Sequence, residues 1–270
     1  MGLNFPFFKQ KSAPLLPPRI LSYQTATLQG LGTRQRQEDA YMWVNLNDPN
    51  KIIQQGLLAL VADGMGGMAD GAMASRQTVR TISAAFETWN RGTAQPHALF
   101  AAVQAADRTV WEQLHGAGGS TLIACYFYQE QLLYASVGDS SLFLCRDGLL
   151  TQLNEPQTLW QENLRAMLRR GQCDPSGLSR SKEDAALSSY VGMGSQMEID
   201  GFHRRFQLRN GDVLLLCSDG VSGVLTEAQL LSCMQAGTAE EICQALDMLI
   251  RRKAYRSQDN YTALVVRCIL

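Results

Sequence analysis

The stretch Leu60-Val61-Ala62-Asp63-Gly64-Met65-Gly66-Gly67-Met68-Ala69-Asp70-Gly71 sets glycines and aspartates behind an apolar run, and the fold turns on how it is read. As a glycine cradle, Gly64-x-Gly66-x-x-Ala69 between a strand and a helix would open a parallel, doubly wound sheet that binds a dinucleotide. Such a site needs a second parallel strand closing in an acid about 20 residues on. The acid at that distance, Glu87, lies inside a helical pattern. A P-loop fails too, because no Gly-Lys-Ser/Thr follows.

A recurrence elsewhere in the chain says more than the glycines. Leu57–Ala62 ends in Asp63-Gly64, Leu133–Val137 in Gly138-Asp139-Ser140, and Val213–Ser218 in Asp219-Gly220. Asp259-Asn260 stands just before the last apolar run. If these strands share sheets, their carboxylates converge at one end. Carboxylates at that density repel and raise one another's pKa unless cations neutralise them. All-oxygen ligation without nearby His or Cys selects Mg²⁺ or Mn²⁺ over Zn²⁺, and the Gly64 carbonyl offers one more oxygen. Asp139 alone reads as a turn residue. Glu38-Asp39 adds an acidic pair, and Arg34 ahead of it supplies a fork-shaped donor for an anion; Arg36 reads as a solvated charge.

Around these motifs, length and composition predict strands at Ile20–Gln29, Ala40–Asn45 and Leu57–Ala62. Apolar residues at three- and four-residue spacing predict helices over Ala72–Trp89 and Pro96–Leu114, with Val103, Ala106, Val110 and Leu114 in the core. Asp70 is expected to cap the first of them. After Gly116-Ala117-Gly118-Gly119 a meander is expected over Ser120–Tyr128, Gln131–Val137, Ser141–Cys145 and Leu149–Leu153. Residues 154–198 read as a polar excursion, a flap carrying one helix at Leu159–Arg169. Strands Ile199–Leu208 and Val213–Cys217, helices Thr226–Met234 and Thr238–Lys253, and strand Tyr261–Ile269 complete the pattern. Strands then a helix pair, twice over, argue for an α+β fold: two stacked antiparallel sheets flanked by helices, an α-β-β-α sandwich.

With Gly32-Thr33-Arg34-Gln35-Arg36-Gln37-Glu38-Asp39, Ala62-Asp63-Gly64-Met65-Gly66-Gly67, Gly138-Asp139-Ser140, Cys217-Ser218-Asp219-Gly220 and Asp259-Asn260 in this order, the chain resembles the metal-dependent protein Ser/Thr phosphatases, type 2C or PPM, in their bacterial form. The match runs from about residue 23 to 269. The resemblance implies that Asp63 bridges two Mn²⁺ or Mg²⁺ ions, with Asp219 and Asp259 completing one and the Gly64 carbonyl the other. Glu38 and Asp39 would act on the metals directly or through waters, Arg34 would hold the phosphoryl oxygens, and Asp139 with Asp219 would lie at a third metal position. It implies hydrolysis of phosphoserine and phosphothreonine in a phosphorylated protein, the product of a Ser/Thr kinase, by a metal-activated water. No C-x₅-R run offers a cysteine nucleophile instead.

The chain departs from the family at Met65, where animal members carry a His proposed as general acid. It departs again in the flap, with Thr151-Gln152-Leu153-Asn154-Glu155-Pro156 and Leu187-Ser188-Ser189-Tyr190-Val191-Gly192-Met193-Gly194. A catalytically weak module docking a partner through that flap is the alternative. His97, His115 and His203 lie outside every motif and read as structural or surface residues.

A net charge of -1 supplies no global field for nucleic acid or an anionic membrane. Seven scattered cysteines without a C-x-x-C pair read as reduced core thiols of a cytoplasmic protein. Residues 1–19 read as a flexible Pro/Phe-rich tail ahead of a domain over 20–270; Pro6 argues against myristoylation at Gly2. No transmembrane segment is expected, and the protein is read as a monomer.

Overall fold

A computed structural model of the chain describes residues 21–65, 69–89, 96–172, 183–194, 196–202 and 204–270. The tail, Gly66, Gly67, Cys173 and His203 lie outside the described residues. The first half of the chain contains β1 (Ser22–Gly30), β2 (Ala40–Val44), α1 (Pro49–Gln55), β3 (Leu57–Ala62), β4 (Gly64–Met65), α2 (Ala69–Glu87), α3 (Pro96–Leu114), β5 (Gly119–Ser120), β6 (Leu122–Tyr128) and β7 (Gln131–Val137). The second half contains β8 (Ser141–Arg146), β9 (Leu149–Gln152), α4 (Leu159–Arg169), β10 (Asp200–Gly201), β11 (Phe206–Gln207), β12 (Val213–Cys217), α5 (Asp219–Ser222), α6 (Glu227–Met234), α7 (Ala239–Lys253) and β13 (Tyr261–Ile269).

Every residue of β3 is buried because the strand is covered on both faces. Successive side chains of a strand point opposite ways. Leu57, Ala59 and Val61 therefore meet Leu142, Leu214, Leu264 and Val266 of the facing sheet. Leu58, Leu60 and Ala62 meet Val79, Ile82 and Phe86 of α2 and Val103 and Val110 of α3. On the far side Leu215, Cys217, Ala263 and Val265 pack against Leu230 of α6 and Ile242, Leu246 and Ile250 of α7. Three apolar layers thus separate four structural ones, the expected sandwich.

The sheets run β1-β13-β12-β8-β9 and β10-β7-β6-β3-β2, with β11 also on β7, and the strand pairings are antiparallel. The chain leaves β3 at the end where it enters β2 and leaves β12 at the end where it enters β13, and the residues just beyond these ends, Asp63, Asp219 and Asp259, line one cavity.

Two expectations need correction, and one helix is added. The run Ile199–Leu208 is not one strand but two short pieces, Asp200–Gly201 and Phe206–Gln207, each pairing separately with β7. Asp70 is no cap: it lies within the first turn of α2, where its charge complements the positive end of the helix. Helix α1 was not foreseen, although Asp48 accepts from the Lys51 amide and Pro49 opens the first turn.

Candidate metal centre

A cavity of about 380 Å³ opens at the strand ends, lined by Arg34, Glu38, Asp63, Gly64, Met65, Thr121, Asp139, Asp219, Asp259 and Asn260, with Ala185, Ala186 and Leu187 on the flap side. Each carboxylate arrives from a different strand end. Asp63 follows β3, Asp139 follows β7, Asp219 follows β12 and opens α5, and Asp259 precedes β13. Gly64 is required by close packing: a Cβ there would stand 2.1 Å from the Gly71 carbonyl oxygen of α2.

The acidic pair is split. Glu38 faces the cavity, whereas Asp39 does not line it and is buried, its Oδ2 accepting from Ser218 Oγ at 2.8 Å and Thr262 Oγ1 at 2.7 Å. Its Oδ1 has no hydrogen-bond partner. Arg34, expected beside an anion, donates instead to Asp259 Oδ2 at 2.6 Å. Asn260 knits its loop to the site, accepting from the Glu38 amide at 2.8 Å and donating to the Leu31 carbonyl at 2.9 Å. Arg36, His97 and His115 are exposed.

The electrostatics of the ring oppose ionisation. Burial, then the charges of Asp39, Asp219 and Asp139, holds the Asp63 carboxyl well above the usual carboxylate range. Burial and the Asp219 charge push Asp139 up to about 6. Asp39 rises to about 6 by burial, against the pull of the Thr262 and Ser218 hydroxyls. Asp219 is raised by desolvation and by Asp259, with Arg34 opposing. Among the described residues no three Asp, Glu, His or Cys side chains are placed together so as to hold an ion. What they form is an oxygen-lined ring whose charge is not balanced, with the orphaned Asp39 oxygen buried close to Asp63. That donor set fits hard divalent cations.

Sequence reasoning missed Thr121 and Ser120, which hold Asp63 by its main chain, and the apolar flap wall. The small polar pair following Gly118-Gly119 and preceding the apolar β6 was the signal available for the first.

Comparison with known proteins supplies the family. Residues 33–249 match the family model described as Protein phosphatase 2C. The serine/threonine phosphatase stp of Listeria monocytogenes is 31% identical over 222 residues, 77% of this chain and 83% of that protein. The serine/threonine protein phosphatase PstP of Mycobacterium tuberculosis is 30% identical over 228 residues, 82% of this chain and 42% of that protein. A crystal structure of the PstP catalytic domain with two manganese ions superposes with a TM-score of 0.71 at 26% identity, covering 93% of this chain and 99% of that one. The chain belongs to the protein phosphatase 2C family and is a metal-dependent protein phosphatase. Among its described residues no helix is long and apolar enough to cross a membrane.

Proposed function

We propose that this phosphatase hydrolyses phosphoserine and phosphothreonine in proteins at the cavity ringed by Asp63, Asp139, Asp219 and Asp259. The observation that carries the reading is the ring itself, several desolvated carboxylates facing one arginine. Mn²⁺ or Mg²⁺ bound there supplies Lewis acidity and makes water a nucleophile at neutral pH. Asp63, Asp219, Asp259 and the Gly64 carbonyl would hold two such ions, and Asp139 with Asp219 would hold a third. Glu38 acts from the cavity wall, while Asp39 braces the floor through Ser218 and Thr262. Arg34 exchanges Asp259 for the phosphoryl oxygens, since its planar fork suits both partners. Met65 holds no proton to give, so the departing alkoxide takes its proton from water.

The reading is of a cytoplasmic monomer that reverses the action of a Ser/Thr kinase. The six described cysteines, all buried and free, suit a reducing compartment. The manganese in the PstP crystal structure supports Mn²⁺ as the resident ion.

The test is hydrolysis of a phosphothreonine peptide with Mn²⁺, with EDTA, and by Asp63→Asn. Hydrolysis is expected with Mn²⁺ alone and from the wild type alone. Metal-independent turnover, or full activity in Asp63→Asn, overturns the mechanism. Absence of Mn²⁺ binding by calorimetry would favour the docking module.

A further inference from the structure

We propose that Thr121 is the positioning residue that fixes Asp63 relative to Asp139 in the cavity, and so sets its affinity for divalent cations. The inference rests on the reading of that cavity as a metal centre.

Thr121 lies in the link between β5 and β6, is buried, and lines the cavity without being charged. Its Oγ1 accepts from the Asp63 amide at 3.0 Å, and its own amide donates to the Asp63 carbonyl at 2.8 Å. Ser120 Oγ donates to that same carbonyl at 3.0 Å. Both main-chain groups of Asp63 are therefore held by one short segment. The same Thr121 Oγ1 shares a 2.7 Å hydrogen bond with Ser140 Oγ, the residue after Asp139. Its methyl packs beneath the residue before Asp139: a Cβ on Gly138, whose φ is +90°, would stand 2.9 Å from Thr121 Cγ2. One side chain thus spans the two loops, its hydroxyl joining the Asp63 amide to Ser140 and its methyl supporting Gly138.

The arrangement has a purpose beyond packing. The Asp63 and Asp139 carboxylates repel each other, and repulsion alone would spread loops that must converge on ions. Groups that orient a ligand without touching the metal typically change its affinity 10–100-fold when removed. Valine would reproduce the shape of Thr121 but leave the Asp63 amide without its acceptor. Serine would keep the acceptor and lose only the methyl.

Calorimetric titration of the chelator-stripped full chain with Mn²⁺, for wild type, Thr121→Val and Thr121→Ser, tests this. Thr121→Val is expected to bind Mn²⁺ about 10–100-fold more weakly. Thr121→Ser is expected to stay near the wild type. Wild-type affinity in Thr121→Val overturns the proposal, as does equal weakening in both variants, which would place the effect in the methyl packing. If Thr121→Val does not fold, Ser140→Ala decides in its place, weaker binding supporting the proposal and unchanged binding overturning it. A wild type that binds no Mn²⁺ removes the metal reading itself, an outcome distinct from those above.

Discussion

Strand β12 carries an aspartate at each end, and the two have opposite surroundings. Asp212, just before the strand, is almost fully buried and is met by Arg146, whose Nε and terminal nitrogen donate at 2.8 and 2.6 Å, and by the Arg209 amide at 2.7 Å. The Arg146 guanidinium also lies over the Phe206 ring at 5.0 Å. Asp219, two residues beyond the other end, shares its cavity with Asp63, Asp139 and Asp259, and the arginine there is already bonded to Asp259. A carboxylate neutralised from within the chain is part of the frame. One surrounded by its own kind is, on the proposed function, held ready for a cation from outside, and the same strand carries both.

The sharpest way to break the comparison is to unpair the frame end. Asp212→Ala leaves Arg146 without its partner, and removing one member of a buried pair costs about 3–5 kcal/mol. Denaturant unfolding should show that loss, while phosphopeptide hydrolysis per folded molecule stays at the wild-type rate. A fall in rate without a fall in stability would mean that the two ends are coupled.

At the other end the expectation reverses. Asp219→Asn should cut Mn²⁺-dependent hydrolysis by more than the 10–100-fold typical of groups that only orient a ligand, about 2.7 kcal/mol in barrier at the upper figure. Its melting temperature in EDTA should not fall, since the substitution removes a repelling charge. Next in size, Mn²⁺ at about 100 times its dissociation constant should stabilise the wild type by about 2.7 kcal/mol. Differential scanning calorimetry should show the rise in wild type and Asp212→Asn and its loss in Asp219→Asn. A rise retained in Asp219→Asn would mean that the ions bind elsewhere.

How much of this was legible follows from the same contrast. Strands covered on both faces, such as β3 and β12, announce themselves as unbroken apolar runs, and α3 and α4 lie at the bounds their periodicity predicts. Short elements held by neighbours do not: β10 and β11 are two residues each, so side-chain alternation has no length over which to show. In the site, the aspartates were legible because Asp63, Asp139 and Asp219 each close a strand pattern and Asp259 stands just before one. The different fates of Glu38 and Asp39 were not, although neighbours in extended chain point opposite ways and only one of the pair can face the cavity. Thr121 carried no charge to mark it, and its role depends on two loops that are distant in sequence.

The smallest expected effect concerns the flap, where charge sits at the surface. Arg165 pairs with Glu155 at 2.7 Å, with both side chains substantially exposed. The bonds from Arg165 hold the Glu155 carboxyl below its ordinary range. A depressed carboxyl contributes stability that is present above its unfolded pKa and is lost as pH falls through the folded one. Solvent screening limits such a pair to at most about 0.5 kcal/mol at neutral pH. The flap has firmer holds in its main chain. The Glu155 amide donates to Asp200 at 2.9 Å, the Gln157 amide to the Gly138 carbonyl at 2.9 Å, and Gln157 Oε1 accepts from the Gly138 amide at 2.8 Å. Glu155→Gln should therefore shift unfolding by no more than about 0.5 kcal/mol at neutral pH, with the difference vanishing on acidification, and leave hydrolysis of a short phosphopeptide unchanged. A loss above about 1 kcal/mol would show the flap to be anchored by charge. The frame end of β12 would then no longer be the place where this chain neutralises its own carboxylates for stability.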